Sequence, residues 1–423
     1  MMTVSSAALA ASGTPTVQPQ VISDSQLQAV TMAVGGAVAL PTTRTVPHWF
    51  GSTLDPHDGV TYGYNMVGAD PSTCSGSACS VTVEVDITPV VVNVGGLTFS
   101  GLDVLDATLA SPLFSDNDYG ATASATMGAA NKPRGPGGPL SPGDTGVQLQ
   151  LEDATMRAQF NRTGSGSPYH VILHPNVLPP VTVDVPQEHG TLLQSGRGVV
   201  FADVGVVWWS AEIQNLIAHA DATHLPLYLT NNVMLYSGKS VFNCCIIGYH
   251  GANVVVGHSS GNTNSNGNAP VQTFAWASWV QPGLFARPNG GTDWALQDIH
   301  ALSHEISEWA DDPFVNNSVE PWLTPTAPQY GCTSVLETGD PVVAIGFAIG
   351  TNTLEQGPNP NGTQSADGYY HPEDEVFLPW FMRSAPNNVS EPTQAASANN
   401  GRYTFMGDLN PFAGFRAPAT GCQ

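Results

Sequence analysis

Residues 298–313 read Asp-Ile-His-Ala-Leu-Ser-His-Glu-Ile-Ser-Glu-Trp-Ala-Asp-Asp-Pro, and the reading of this stretch decides the fold. At about 100° per residue, Ile299, Leu302, Ile306, Trp309 and Ala310 fall in one arc of a helix. His300, His304, Glu308 and Asp311 fall in the opposite arc, with Glu305 between the two. The helix is expected to end near Asp311, because Pro313 disfavours helical geometry at Asp312 and cannot continue the hydrogen-bond ladder.

Residues four apart on a helix lie one above the other, so His304 and Glu308 can direct lone pairs at a single ion. Glu305, one position on, is offset enough to reach a bound water without binding the metal. In the HExxH signature of zinc metallopeptidases, two histidines flank a glutamate that acts as general base. Here the frame is His304-Glu305-Ile306-Ser307-Glu308, with a carboxylate in the second ligand position. Glutamate is an acceptable zinc ligand, and a catalytic zinc takes three protein ligands plus water.

The third ligand is expected from the return of the chain. In Cys332-Thr-Ser-Val-Leu-Glu-Thr-Gly-Asp340-Pro341 an apolar, strand-like run delivers Glu337 and Asp340 into a Gly/Pro turn. Glu337 is the expected ligand, with Asp340 and His371 in reserve. His300, one turn upstream, could replace Glu308 as the partner of His304, leaving Glu308 to orient a ligand. The competing reading is an amphipathic helix whose polar stripe is merely solvated. Four titratable groups on one narrow stripe, in a chain with so few charges, argue against it.

His304-Glu305-x-x-Glu308, Asp312-Pro313 and Glu337-x-Gly339-Asp340 together resemble a set of secreted bacterial proteins, and more distantly the plant phosphate-induced (Exordium-like) proteins. The first resemblance runs from about Val46 to the C-terminus. Both sets look zincin-like around this helix, and the resemblance to zincins covers only the helix and its return loop. It implies an α+β fold: a zincin-like mixed sheet with an active-site helix, preceded by a β-rich N-terminal part. It also implies His304, Glu308 and Glu337 as ligands and Glu305 as base. Glu308 stands where peptidases of the HExxH type have histidine.

The 423 residues carry 34 acidic and 11 basic side chains, a net charge of −23, with lysine only at 132 and 239. The charge argues against nucleic acid or an anionic membrane as a partner, since phosphate binding needs clustered Lys and Arg. Charged residues make up only 11% of the chain, so Ser, Thr, Asn, Gln and Gly must cover the surface. No run of 18 apolar residues is present, and no membrane span is expected. The six cysteines are Cys74, Cys79, Cys244, Cys245, Cys332 and Cys422; they lack CxxC pairs and fit an oxidising compartment. Cys74 and Cys79 bracket a short flexible loop suited to a local disulfide, and a bridge from Cys332 to Cys244 or Cys245 would staple the ligand loop to the preceding sheet. The expectation is a secreted, monomeric protein, with Met1 to Gly13 read as either a remnant signal peptide or a misplaced start.

Taken in order, residues 1–45 read as a leader or loosely ordered segment, 46–190 as the β-rich part and 191–423 as the metal-binding part, with 46–423 as one unit the alternative. Strands are expected at Ser80–Val94, Tyr169–Leu173, Val181–Val185, Val199–Trp208, Leu225–Leu235, Phe242–Val256, Val271–Val280, Val342–Ile349 and Val376–Phe381. Helices are expected at Leu102–Phe114, Gln148–Phe160 and Trp209–Ala220. Breaks or loops are expected at Asp116–Thr145, Glu188–Gly198, Gly261–Pro270 and Thr351–Gly368. Val271–Val280 is expected as the strand nearest the cleft, aligning an extended substrate by β-augmentation. His170 and His174 share a strand face, more simply as two polar residues than as ligands. His250 either borders the cleft or is a structural histidine.

Three functions fit. One is zinc-dependent hydrolysis of a peptide or protein substrate, in which the ion lowers the pKa of its water and Glu305 takes the proton. Another is a non-catalytic secreted or cell-surface binding protein with a structural metal such as calcium, for which Asp311, Asp312, Glu337 and Asp340 supply oxygens. The last is a metal-free carboxylate-pair hydrolase such as a glycosidase.

Overall fold

The computed structural model describes residues 14–17, 44–119, 148–162, 166–254, 270–285, 296–324, 332–343, 345–354, 356–358, 365–384, 403–405 and 422. Its axis is the long strand Ser80–Val94, in which β-branched residues alternate between two faces. Val83, Val85 and Ile87 enter one core and Val90, Val92 and Val94 another, as the two-residue period of a strand requires. The first half of this strand pairs in parallel with Leu225–Asn231 on one side and His170–Val177 on the other. Its second half pairs with Leu97–Ser100 and Val181–Asp184. Beyond Leu225–Asn231 lie Val271–Trp279, in parallel, and then Gly248–Val254, antiparallel, at the sheet edge. These strands make a mixed seven-stranded sheet, and a second sheet has the order Thr16–Val17, Gly190–Ser195, Val200–Gly205, Val233–Tyr236, Cys244–Ile246.

The helices are α1 (Leu105–Ala110), α2 (Leu151–Gln159), α3 (Val206–Ile217), α4 (His300–Asp311) and α5 (Leu378–Phe381). Leu227, Leu229, Ala275 and Ala277 face α4 and share a core with its Leu302, Ile306 and Trp309. Tyr228, Phe274 and Trp276 face the other way, into a core with Ala202, Val204, Leu235 and Trp209 and Ile213 of α3. The seven-stranded sheet therefore lies between the α4 layer and the second sheet. This is an α+β fold with mixed sheets. The strands of the seven-stranded sheet come from both sides of residue 190.

Several expected elements differ from those observed. The run Leu225–Leu235 is two strands in different sheets, separated at Asn232, which has φ of 52°. The run Phe242–Val256 likewise splits into Cys244–Ile246 and Gly248–Val254. Val271–Trp279 is interior to its sheet, so the edge position belongs to Gly248–Val254. The expected break at Glu188–Gly198 contains the strand Gly190–Ser195. Val342–Ile349 is not a strand: a 3-10 turn at Asp340–Val342 bends the chain, leaving isolated bridges at Gly346 and Ile349. Val376–Phe381 ends in α5, where Pro379 fits the first turn of a helix. Within the expected loop Thr351–Gly368, Gln356–Pro358 and Ser365–Asp367 form a ladder. Residues 120–145 of the loop expected at Asp116–Thr145, and 261–269 of Gly261–Pro270, lie outside the described residues.

Three disulfides join Cys74 to Cys79, Cys244 to Cys245 and Cys332 to Cys422. The first is the expected local bridge. The pairing expected between Cys332 and Cys244 or Cys245 is replaced by one to Cys422, because the adjacent cysteines pair with each other. No helix among the described residues is long and apolar enough to cross a membrane.

Asp203 illustrates how this fold handles acid. Both its carboxyl oxygens are buried without a hydrogen bond, and burial raises its pKa to about 8. An acid whose folded pKa exceeds its unfolded value of 3.8 holds a proton on folding. Its contribution is therefore most favourable below about pH 4 and is lost, at about 1.4 kcal/mol per pH unit, as pH rises towards 8. Asp203→Asn is expected to raise the melting temperature at pH 7–8 and leave it nearly unchanged at pH 4. An equal shift at both pH values contradicts this account.

Candidate metal centre

All twelve residues of α4 are buried, so the polar arc expected to face either metal or water faces protein. The apolar arc stabilises the helix by about 1.5–3 kcal/mol for each fully buried aliphatic side chain. The polar arc acts in the opposite sense, since each buried ion costs several kcal/mol unless it is compensated. What surrounds the polar arc is therefore the question that decides its chemistry.

His304 is held at both ring nitrogens. Its Nδ1 lies 2.7 Å from Glu373 Oε2, and its Nε2 lies 3.2 Å from Glu308 Oε2 and 3.9 Å from Asp340 Oδ1. Glu373 is fixed in turn by His300 Nε2 at 3.0 Å, and its backbone N–H donates to Ser303 Oγ at 2.9 Å. Glu308 accepts from the backbone N–H groups of Gly339 and Asp340 through Oε1, both at 3.1 Å. Its Oε2, buried and without a hydrogen bond, is left facing His304 Nε2. Ligand atoms of His304, Glu308 and Asp340 all fall within 4.8 Å of one another.

A carboxylate that takes the Nδ1 proton of a histidine sets the tautomer whose Nε2 lone pair is available to a metal. Ligand atoms about 2.0–2.1 Å from a tetrahedral zinc stand about 3.4 Å apart, close to the 3.2 Å between His304 Nε2 and Glu308 Oε2. Without an ion, the Glu308 and Glu373 charges outweigh burial and push the His304 pKa well above its ordinary value. A metal must then displace a proton from the ring. Against burial, the charges of His300 and His304 hold the Glu373 carboxyl below its ordinary value.

Beside this set stands His250, from the edge strand Gly248–Val254. Its Nδ1 is 3.7 Å from both Glu305 Oε2 and Glu308 Oε2, and its Nε2 is 3.9 Å from Glu337 Oε2. Burial lowers its pKa to about 4, only partly offset by Glu308 and the Asp312 backbone, so the ring is neutral at pH 7. Of the two sequence readings of His250, the structure places it at the centre.

The expected residues thus divide. His304, Glu308 and Asp340 come together, while Glu305 and Glu337 lie towards His250. His300 bonds Glu373. His371 is tied to Asp298, 2.6 Å from its Oδ2, at the start of α4. The oxygen set proposed for calcium does not converge: Asp311 accepts from Gln159, Asp312 caps the backbone of Asn316 and Asn317, and neither joins a trio with Glu337 or Asp340. His170 and His174 pair separately with Asp153 and Glu84. A third trio, wholly acidic, combines Asp55 and Asp58, from the turn after the strand His48–Leu54, with Glu320 of the strand Ser318–Leu323. Glu373 was not singled out by sequence, although the acidic run Glu373-Asp374-Glu375 directly follows the reserve ligand His371.

Two glycines admit these side chains. A Cβ at Gly339 would collide with the His304 ring, and one at Gly248 with the Glu305 carboxyl. The loop and the edge strand therefore approach α4 as closely as backbone can. In comparisons with protein-family models, curated proteins and solved structures, nothing matches this chain.

Proposed function

We propose that the protein is a metal-dependent hydrolase, acting on peptide bonds through a cation held by His304, Glu308 and Asp340. The observation that carries the reading is the orientation of His304: Glu373 holds Nδ1, and Nε2 looks towards two buried carboxylates. Mixed imidazole and carboxylate donors suit zinc better than calcium, which prefers oxygen alone. When bound, the ion supplies an acidified water and a Lewis acid for the scissile carbonyl. Glu305, one residue along α4 from His304, is the candidate general base, and Gly248 leaves it room against the edge strand. That strand, Gly248–Val254, stands at the edge of its sheet among the described residues, the kind of position from which β-augmentation aligns an extended peptide. A zincin-like kinship and secretion belong to the same proposal, supported by the HExxE frame and the three disulfides.

The test is hydrolysis of a mixed peptide library by purified full-length protein before and after chelation. Activity lost to chelator and restored by zinc supports the reading; activity indifferent to chelator overturns it. Glu373→Gln is expected to weaken zinc binding about 10- to 100-fold, the usual cost of losing a ligand's hydrogen-bond partner, as read by competition with a chromogenic chelator. Unchanged affinity would mean that Glu373 does not set the His304 ring.

A further inference from the structure

We propose that the centre takes two cations, the second between His250, Glu305 and Glu308, with Glu308 bridging both positions. The proposal rests on the hydrolase reading for its first ion and adds a site to it. His250 Nδ1 lies 3.7 Å from Glu305 Oε2 and 3.7 Å from Glu308 Oε2, and ligand atoms of all three residues fall within 4.8 Å of one another.

The bridging role follows from how Glu308 is held. Its Oε1 is engaged by two backbone N–H groups, from Gly339 and Asp340. Its Oε2 faces an imidazole on either side, His304 Nε2 at 3.2 Å and His250 Nδ1 at 3.7 Å. A carboxylate anchored by one oxygen, with the other turned to two nitrogens, has the form of a ligand shared between neighbouring ions. One ion does not account for both imidazoles, because they fall in different trios: the His304 set closes on Asp340 and the His250 set on Glu305.

His250 itself asks for a ligand. It is 3% exposed, and beyond the Asp312 backbone its ring nitrogens reach only carboxylate oxygens 3.7–3.9 Å away, whereas buried polar side chains are nearly always fully satisfied. The edge strand that carries it is pressed onto Glu305 at Gly248, two residues earlier, where any Cβ would collide with that carboxyl. This puts Glu305 on the His250 side of α4. Glu305, Glu308, Glu337 and Asp340 are each at most 2% exposed. Paired divalent ions stand about 3.5–4 Å apart and stabilise both the attacking and the leaving oxygen of a displacement. The nitrogen and oxygen donors suit zinc, manganese or cobalt.

The experiment is metal stoichiometry of full-length protein loaded with zinc and dialysed, alongside electron paramagnetic resonance of the manganese-loaded protein. Wild type is expected to hold two equivalents and to show a spin-coupled manganese pair. His250→Ala and Glu305→Gln are each expected to hold one and to show an isolated ion. One equivalent in wild type overturns the second site and leaves the hydrolase reading standing, while none overturns both. Two equivalents retained in both variants also overturn the proposal, since the second ion then lies elsewhere. The wild-type count and spectrum need no variant to fold.

Discussion

Glu305→Gln is expected to lower kcat for peptide hydrolysis by about 10²- to 10⁴-fold, the usual contribution of a positioned general base, while an ion remains at His304. Glutamine keeps the length and shape of the side chain where it lies against Gly248, so the edge strand is not displaced. What it loses is the ability to accept a proton and, on the two-ion proposal, a ligand of the second ion. Glu305 is 2% exposed and belongs to the His250 trio, not to the His304 trio, so the change leaves His304, Glu308 and Asp340 intact. Hydrolysis within tenfold of wild type would remove Glu305 from the chemistry. Hydrolysis lost together with all bound metal would make it a structural part of the first site.

Gly339→Ala is expected to weaken metal binding at least as much as loss of the Glu373 partner, about 10- to 100-fold, although it changes neither a ligand nor a charge. The added Cβ would occupy the space of the His304 imidazole. The loop cannot easily withdraw, because the Gly339 and Asp340 N–H groups are both bonded to Glu308 Oε1, and moving them releases the second ligand. Nor can the ring swing away without breaking its 2.7 Å contact with Glu373. Three of the groups at the candidate centre are thus coupled through one hydrogen atom's worth of space. The expected readout is a lower zinc affinity together with a lower melting temperature of the metal-free chain, because the contacts the added Cβ disturbs are present without the ion. Wild-type affinity in this variant would show that His304 does not need the position seen here.

The parts of the fold legible in sequence were those set by local chemistry. Pro313 ends α4 and the apolar period places it, so the helix runs from His300 to Asp311. The unbroken alternation of Ser80–Val94 likewise makes one strand. The runs at Leu225–Leu235 and Phe242–Val256 misled because both faces of each are buried. Apolar periodicity continues through Asn232 and Ile247, where the chain passes from one sheet to the other. At Val342–Ile349 and Val376–Phe381 apolar residues are also buried, but in bends and a short helix wrapped around the centre; there burial reports proximity to the core and not strand geometry. Within the centre, the i,i+4 pair His304 and Glu308 was readable because the helix itself brings them together. Glu373 was not, since it meets His304 only across 69 residues of sequence separation. The choice between Glu337 and Asp340 turned on the 3-10 turn at Asp340–Val342, which brings Asp340 to His304 and leaves Glu337 beside His250.

The most direct measurement is an anomalous difference map at the zinc edge from crystals of the full-length protein grown with zinc. A peak about 2.0–2.2 Å from His304 Nε2 and from carboxylate oxygens of Glu308 and Asp340 is the predicted result. A map without density among these three side chains, with His304 still clamped between Glu308 and Glu373 as a protonated ring, would contradict the account at its root.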